Sequence, residues 1–340
     1  MTGATTLTFL SPLGGLLVLA AVLPLAGLVL ATRRVAAARA LLGLARPAGG
    51  APRSTIAALA AVPVLLGIAA AQPAIRAPET ANVRTDAQAM FIIDTSRSML
   101  ARSSAADPTR LARAQRAAVR LRSALSDVAT GVGTLTDRAL PNLLPIADVA
   151  AFQATVERAI GIERPPPQET NVNATTLGPL SELATQGYYS ASARRRLLIV
   201  LTDGESRAYD VGSLAATLRD EGPGVSLILV HFWRPGERVY RRSGRPEAAY
   251  FPHEGSRREL DRLAAAADGA SFDEEQLDAV EARARSELGS GQTASQGISP
   301  HTIPLAPYVA AASLLPLAFL FRRRREGEPF RRTGDTLGAY

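Results

Sequence analysis

Cysteine is absent from this chain of 340 residues, and every basic residue is arginine. Without cysteine the protein has neither disulfide bonds nor free thiols, which excludes thiol redox chemistry and zinc–thiolate sites. The same absence is compatible with an oxidising compartment outside the cytoplasm. Histidine occurs only at positions 231, 253 and 301, so a hydrolase that depends on an imidazole base has few candidates.

Charged side chains are missing from three apolar blocks of the sequence. No charge precedes Arg33, and two further uncharged stretches follow. A helix needs about 20 apolar residues to cross the hydrocarbon layer of a bilayer. The sequence therefore predicts three transmembrane helices, at residues 1–32, 55–75 and 303–321. The alternatives are a cleaved signal peptide for the first block and a buried core helix for the second.

The arginines predict how these spans are oriented. Eleven of the 38 arginines and only three acidic residues lie in residues 33–54 and 322–340, so these two segments carry +8 and the remainder carries −1. Short arginine-rich segments are retained in the cytoplasm. We therefore expect a cytoplasmic loop at 33–54, a cytoplasmic tail at 322–340 and an extracytoplasmic domain in a multi-pass cell-membrane protein. A nucleic-acid partner is not expected, because the domain itself is nearly neutral.

Residues 88–289 alternate short β-branched runs with amphipathic helical patterns. This alternation is typical of an α/β fold with a doubly wound, mostly parallel, Rossmann-like sheet. A polar linker at 76–87 precedes the domain. Residues 290–302, rich in Gly, Ser, Gln and Thr, predict a flexible tether to the third span.

Two apolar strands of this pattern run into an acid. Residues 91–93 lead to Asp94, with Ser96 and Ser98 at alternate positions beyond it, and residues 197–201 lead to Asp203 through Thr202. The carboxyl ends of parallel strands open on one crevice, so these side chains can surround a single ligand. Carboxylate and hydroxyl oxygens suit a hard divalent cation. The sequence predicts an Mg²⁺ site, with Mn²⁺ or Ca²⁺ as alternatives.

The segment Asp94-Thr95-Ser96-Arg97-Ser98 resembles the metal-ion-dependent adhesion site (MIDAS) of the von Willebrand factor type A (VWA) family, and the resemblance covers about residues 88–288. It implies the family's Rossmann-like VWA fold, with Asp94, Ser96, Ser98 and Asp203 as metal ligands. It also implies a threonine ligand. Ala174-Thr175-Thr176-Leu177-Gly178 resembles the family's Gly-Thr-x-Ile-Gly, which assigns Thr175, while Thr176 and Thr170 remain open.

Residues 94–101 and 108–111, together with two leading spans and one trailing span, resemble the Bat-type aerotolerance membrane proteins of bacteria more narrowly. This resemblance implies partnership with a MoxR-type AAA+ ATPase and with other VWA membrane proteins. The chain departs from the pattern in an insertion at His231–Glu254 and in the polar residues 84–88 before the first strand.

The insertion follows a predicted strand end, at the same edge of the sheet as the acids. Aromatic and arginine side chains at that edge suit a partner-binding rim. The alternative is a hairpin that packs its own aromatic residues. The candidate rim consists of Arg97, Trp233, Tyr240 and Tyr250.

The pattern favours a binding module and not an enzyme. An acidic side chain of a protein partner would bind to the metal in place of a water molecule. The rival interpretation is a membrane scaffold whose metal is purely structural. Asp94-Thr95-Ser96 also resembles the turn of aspartic proteases, but the second acid stands in the reverse order, Thr-Asp-Gly, and the predicted helices do not suit that all-β fold. A serine hydrolase is disfavoured because residues 204–208 lack the final glycine of a nucleophile elbow.

Overall fold

The structure is a computed structural model that describes residues 5–42, 53–168, 175–241 and 243–326. The chain divides into two compact units, Thr80–Ser299 on the one hand and Met1–Glu79 with Pro300–Tyr340 on the other. The predicted domain at 88–289 lies within the first of these units.

A six-stranded sheet forms the centre of the Thr80–Ser299 unit. Its strands are β3 (Ala87–Asp94), β4 (Ala129–Leu135), β5 (Ala139–Ile146), β6 (Arg195–Thr202), β7 (Ser226–His231) and β8 (Ala270–Asp273). They lie in the order β5-β4-β3-β6-β7-β8. Every pairing is parallel except that of β4 with β5. The prediction of a mixed α/β fold with a mostly parallel sheet is confirmed.

Helices cover both faces of this sheet. They are α3 (Arg110–Ala124), α4 (Val149–Arg158), the single-turn α5 (Glu182–Thr185), α6 (Val211–Asp220), α7 (Ser256–Ala266) and α8 (Leu277–Leu288), with short 3-10 helices at Arg97–Leu100 and Gly178–Ser181. Alternate residues of β3 point to opposite faces. Phe91 and Ile93 belong to one buried cluster with residues of α3, α4 and α8, whereas Met90 and Ile92 belong to a second cluster with residues of α6 and α7. The central strand is therefore apolar on both sides, as its sequence predicts.

The two edges of the sheet are short or interrupted. β5 carries Pro141 and Pro145, and β8 has only four residues. Next to β5, a Cβ added at Gly131 would lie 2.6 Å from the backbone oxygen of Leu143. Glycine is needed there because the two backbones approach too closely for a side chain.

The other unit contains helices and a three-stranded sheet. The elements along the chain are β1 (Thr6–Phe9), a 3-10 helix (Pro12–Ala21), α1 (Val22–Leu41), α2 (Arg53–Ala70), β2 (Pro73–Arg84), β9 (Thr293–Pro304), α9 (Ala306–Ala312) and α10 (Leu314–Glu326). The strands lie in the order β1-β2-β9. The boundaries between the two units fall within β2 and β9.

Among the described residues, one helical stretch is long and apolar enough to cross a membrane, the 27-residue run Pro12–Ala38. The second predicted span coincides with a shorter apolar helix, Ser54–Ala70. The third, at 303–321, begins in β9 and continues as two helices, α9 and α10. Three spans are therefore not confirmed and remain a prediction.

In two connecting segments, the structure differs from what the sequence predicts. The predicted linker 76–87 lies largely in β2, and the predicted flexible tether 290–302 contains most of β9. In a strand, the backbone N–H and C=O groups form hydrogen bonds with the neighbouring strand, whereas in a flexible tether they would bind water. The small polar side chains of these residues do not prevent strand pairing. Residues 43–52 of the predicted cytoplasmic loop and residues 327–340 of the predicted tail lie outside the described residues. Residues 33–41 of the predicted loop continue helix α1.

Candidate metal centre

Asp94 and Asp203 lie at the carboxyl ends of two adjacent strands. Asp94 is the last residue of β3, and Asp203 directly follows Thr202, the last residue of β6. The two strands are parallel, with Ile93 opposite Leu201, so both acids reach the same edge of the sheet. Both are fully buried. The structure thus brings the two predicted acids to one crevice.

Protein donors hold both carboxylate oxygens of Asp94. Oδ1 accepts a hydrogen bond from the backbone N–H of Ser96 at 2.8 Å, and Oδ2 accepts one from the hydroxyl of Thr202 at 2.6 Å. The Thr202 oxygen in turn accepts the N–H of Gly204 at 3.0 Å. Gly204 has a φ of +70°, a conformation that glycine adopts without strain. The Thr-Asp-Gly motif therefore supplies Asp203 and, through Thr202, also fixes the carboxylate of Asp94.

The two predicted serine ligands face each other. Their Oγ atoms are 2.9 Å apart, with Ser96 buried and Ser98 half-buried. Alternate positions along the turn thus point the same way, as expected. Ser98 gives the pair a side open to solvent.

Thr175 lies against the loop that follows Asp203. Its side chain is buried, and its backbone oxygen accepts the N–H of Arg207 at 2.9 Å. The Thr176 hydroxyl instead accepts the N–H of Gly178 within its own turn, at 3.3 Å. This favours Thr175 as the threonine of the site. The remaining alternative, Thr170, lies outside the described residues.

The crevice disfavours the charged form of its acids. Burial, and then the nearby Asp203 carboxylate, raise the pKa of Asp94 to about 7. The pKa of Glu205, which follows Asp203 by two residues, is raised by the same two causes in the same order. Buried carboxylates that repel each other are stabilised by a positive ion.

A buried arginine that sequence reasoning missed lies beside these acids. Arg110, the first residue of α3, is fully buried. Its Nη1 donates to Oδ2 of Asp203 and to Oε1 of Glu205, both at 2.9 Å, and to the hydroxyl of Tyr250 at 3.0 Å. Its Nε donates to Oε2 of Glu237 at 2.7 Å. Asp203 is therefore shared between the crevice and an internal cation.

Ion pairs continue outward from Arg110. Glu237 also pairs with Arg113 at 2.7 Å, Arg113 with Glu274 at 2.6 Å, and Glu274 with Arg234 at 2.6 Å. Arg234 also pairs with Glu275 at 3.1 Å. Counting these residues with the acids of the crevice gives six carboxylates, namely Asp94, Asp203, Glu205, Glu237, Glu274 and Glu275, against the three arginines 110, 113 and 234. The carboxylates outnumber the arginines, so a bound cation would offset part of the negative charge of the cluster.

The predicted rim residues lie around the crevice in different ways. Tyr250 reaches it, because its hydroxyl donates to Oε1 of Glu205 at 2.8 Å. Arg97 pairs with Glu247 of the insertion at 2.8 Å, and the hydroxyl of Tyr240 donates to the backbone oxygen of Ser103 at 3.1 Å. Trp233 instead stacks on His231, with ring centroids 6.1 Å apart. Whether these residues bind a partner stays a prediction.

Ser256, His231 and Asp273 form an arrangement that resembles a catalytic triad. Nε2 of His231 lies 3.0 Å from Oγ of Ser256, and Nδ1 lies 3.6 Å from Asp273. However, Nε2 also lies 3.1 Å from the backbone oxygen of Asp203. A carbonyl oxygen only accepts, so a hydrogen bond to it requires the hydrogen on Nε2, and in that tautomer Nε2 cannot take a proton from Ser256. Ser256 is also buried, and burial lowers the pKa of His231. The geometry therefore favours a packing role for this histidine.

The residues present fit a hard cation by their chemistry. Within the described ranges, no group of three or more His, Cys, Asp or Glu side chains is arranged to hold a metal. A set of two carboxylates and several hydroxyls instead suits an ion that keeps part of its water shell, as Mg²⁺ does. Such an ion would be held by Asp94, Ser96, Ser98, Thr175 and Asp203.

No family model matches the chain, and no curated protein matches it. Solved structures do. The chain is similar to Bat-type and von Willebrand factor type A structures. BatB from Bacteroides thetaiotaomicron is 20% identical over 60% of this chain and 100% of its own, with a TM-score of 0.47. An aerotolerance-related membrane protein from Bacteroides fragilis is 19% identical over 59% of this chain and 98% of its own, with a TM-score of 0.46.

A mussel byssus protein, proximal thread matrix protein 1 with a zinc-occupied MIDAS motif, is 14% identical over 73% of this chain and 54% of its own, with a TM-score of 0.42. The candidate site rests on the geometry of this chain's own residues.

Proposed function

We propose that the chain is a membrane-anchored VWA-like protein that binds one divalent cation at Asp94, Ser96, Ser98, Thr175 and Asp203 and, through that ion, an acidic side chain of a protein partner. The observation that carries this proposal is the pair of fully buried acids at adjacent strand ends, in a cluster whose carboxylates outnumber its arginines. A bound cation would offset this excess negative charge and keep a coordination position for an acid of the partner.

The protein's own part in recognition is to hold the oxygen ligands in place. Thr202 and the N–H of Ser96 fix the orientation of the Asp94 carboxylate, and Arg110 fixes that of Asp203. The half-buried Ser98 lies on the side by which a partner would approach. Binding by a prepared site loses less entropy than binding by flexible ligands.

Mg²⁺ is the proposed ion because the donors are oxygens and only two are carboxylates. Isothermal titration of the full-length protein in detergent with MgCl₂ tests this. Asp94→Asn keeps the shape of the side chain and should abolish Mg²⁺ binding. The matched control is Asp107→Asn, the same change at an exposed position nearby, which should leave binding unchanged. Equal affinities for the two variants would exclude Asp94 as a ligand. Mn²⁺ and Ca²⁺ titrations then rank the ions.

A purely structural metal in a membrane scaffold is the alternative. Each oxygen of Asp94 and Asp203 already accepts a hydrogen bond from the protein, so the crevice keeps its form without an ion. This favours a metal that serves binding. The outcome that supports the scaffold is a large metal-dependent rise in melting temperature together with partner binding that survives both chelator and Asp94→Asn.

Membrane anchoring is supported by the apolar helical run Pro12–Ala38. Its leucines are exposed, with Leu13 at 79% and Leu23 at 74%, and such side chains are stabilised by lipid rather than by water. We further propose three spans, with the VWA-like unit outside the cytoplasm, on the basis of the arginine distribution.

The proposed role is binding without catalysis. The partner class is a protein with an exposed acidic residue, and the Bat-type resemblance suggests a MoxR-type AAA+ ATPase system and other VWA membrane proteins as components of the same assembly. Co-purification of such an ATPase with the wild type, compared with Asp94→Asn, tests this link. If the ATPase co-purifies neither with the wild type nor with Asp94→Asn, it is removed from the proposal.

A further inference from the structure

The insertion after β7, residues 232–254, is fastened to the metal crevice by polar contacts of three of its side chains, those of Glu237, Glu247 and Tyr250. Glu237 is fully buried and pairs with Arg110, which itself holds Asp203. Tyr250 donates to Glu205, and Glu247 pairs with Arg97 inside the Asp94–Ser98 motif. The segment therefore has a fixed position beside the crevice.

Within this segment, residues 239–241 and 243–247 form the two sides of a small hairpin. The N–H of Glu247 donates to the oxygen of Val239 at 2.8 Å, and the N–H of Arg241 donates to the oxygen of Arg245 at 2.9 Å. At its base, Arg238 exchanges two backbone hydrogen bonds of 3.0 Å with Arg102, which follows the Asp94–Ser98 motif. The tip of the hairpin is thus carried on the loop that supplies three of the proposed ligands.

The outward side of the segment is cationic and apolar. Arg241 and Arg245 are exposed, and neither makes an ion pair or a side-chain hydrogen bond within the described part of the chain. Phe251 is 75% exposed, with the guanidinium of Arg238 6.0 Å from its ring centroid. The acids Glu237 and Glu247 are already paired with arginines elsewhere, so they do not neutralise the tip.

Within the Thr80–Ser299 unit, the hairpin lies at the same end of the sheet as the metal crevice. The chain enters and leaves the Thr80–Ser299 unit at the amino ends of the strands, where Arg84 donates to the backbone oxygens of Leu288 and Gly289. The hairpin lies at the carboxyl ends, the opposite pole of the same sheet. An acidic protein segment is the occupant that suits both this pole and the neighbouring metal site.

We propose that residues 232–254 form the partner-recognition surface of this protein and that they bind an acidic protein segment with more than one carboxylate. One acid would bind at the metal crevice, a second would pair with Arg241 and Arg245, and an apolar side chain of the segment would pack on Phe251. The inference rests on the proposed function, since it assigns the ligand class of the same site.

Two labelled peptides test the inference on the full-length protein in phosphatidylcholine nanodiscs with Mg²⁺. One is an octapeptide that alternates Leu and Glu, and the other is the same peptide with all but one Glu changed to Gln. Fluorescence anisotropy of the wild type should show roughly tenfold tighter binding of the peptide with several acids, because exposed ion pairs each contribute a small increment.

The double variant Arg241→Ala/Arg245→Ala should lose most of this preference while its Mg²⁺ affinity stays unchanged. The matched control is Arg116→Ala/Arg158→Ala, which removes two exposed arginines from α3 and α4 and should keep the preference. Phe251→Ala should weaken the binding of both peptides. An unchanged preference in the Arg241/Arg245 variant, or no binding of either peptide by the wild type, overturns the inference.

Failure of the proposed function gives a different result. In that case peptide binding would depend on Arg241 and Arg245 but would be indifferent to chelator and to Asp94→Asn. Lipid is a further outcome of the same experiment. Displacement of the peptide by phosphatidylglycerol vesicles, with no effect of phosphatidylcholine vesicles, would assign the surface to anionic headgroups and overturn the assignment to a protein partner.

Discussion

Nη1 of Arg110 lies 2.9 Å from Oδ2 of Asp203, and both side chains are fully buried. An acid proposed to serve a metal ion is therefore also one partner of a permanent internal ion pair. Because Arg110 binds Glu237 as well, the same guanidinium joins the second motif to the insertion after β7. Removing the Arg110 guanidinium would leave several buried carboxylates without a counter-charge.

Arg110→Ala is expected to lower the free energy of unfolding by about 3–5 kcal/mol, the usual result of breaking a buried ion pair from one side. Thermal melting and hydrogen exchange in detergent measure the effect. Arg116→Ala, at an exposed position of the same helix, is the control and should change stability by less than about 0.5 kcal/mol. Similar effects of the two substitutions would show that the buried pairs contribute little.

The stability of the metal-free protein should fall as the pH rises from about 4 to 7. The pKa of Asp94 is raised from 3.8 to about 7 in the folded state, so over this range the folded protein holds a proton that the unfolded chain has released. The loss is at most about 1.4 kcal/mol per pH unit for this group.

Asp94→Asn removes the titrating group and should reduce this pH dependence, measured as melting temperature against pH in chelator. The slope of Asp107→Asn should match that of the wild type. Saturating Mg²⁺ should oppose the fall, because a metal binds the deprotonated carboxylate. Parallel pH profiles for the wild type and Asp94→Asn would contradict the prediction.

Arg84 fastens the end of the last helix of the VWA-like unit. Its buried guanidinium donates to the oxygens of Leu288 and Gly289, at 2.8 and 2.7 Å, and pairs with Asp86 at 2.7 Å. Arg84→Ala should cost about 2–4 kcal/mol and should speed hydrogen exchange in α8. Ser286→Ala, at an exposed position of α8, should leave that exchange unchanged. Equal protection of α8 from exchange in both variants would show that Arg84 does not stabilise the end of this helix.

The absence of cysteine gives a direct test of topology. Single cysteines at Ala48 and Ala106 can be treated in whole cells with a thiol reagent that does not cross the membrane. The arginine distribution predicts labelling at position 106 and none at position 48 until the cells are opened. Labelling at position 48 and none at position 106 in intact cells would reverse the proposed orientation.

The sheet and its two acids could be predicted because their signals are local. An apolar run followed by an acid and small polar residues specifies a buried strand and the turn after it, and two such runs in one parallel sheet place their acids at one edge. The role of Thr202 was accessible from the Thr-Asp-Gly motif only once the neighbouring strand was known, since its hydroxyl binds Asp94 on β3.

The buried arginine beside the site, Arg110, could not be predicted. An arginine at the first position of a helix is ordinarily solvated, whereas Arg110 is buried among partners far along the chain, such as Glu237, 127 residues later. Likewise, nothing in the composition of residues 290–302 indicates a strand, because β9 depends on pairing with a distant segment. In both cases the deciding contact joins residues far apart in the chain.

The prolines of β5 and the brevity of β8 have a consequence for protein molecules at high local concentration. Pro141 and Pro145 have no N–H to offer to an incoming strand, and β8 gives it only four residues to pair with. Pairing between the edge strands of two copies would therefore form few hydrogen bonds. Self-association of the VWA-like unit by strand addition is blocked at both borders of the sheet, which leaves contacts between molecules to side chains.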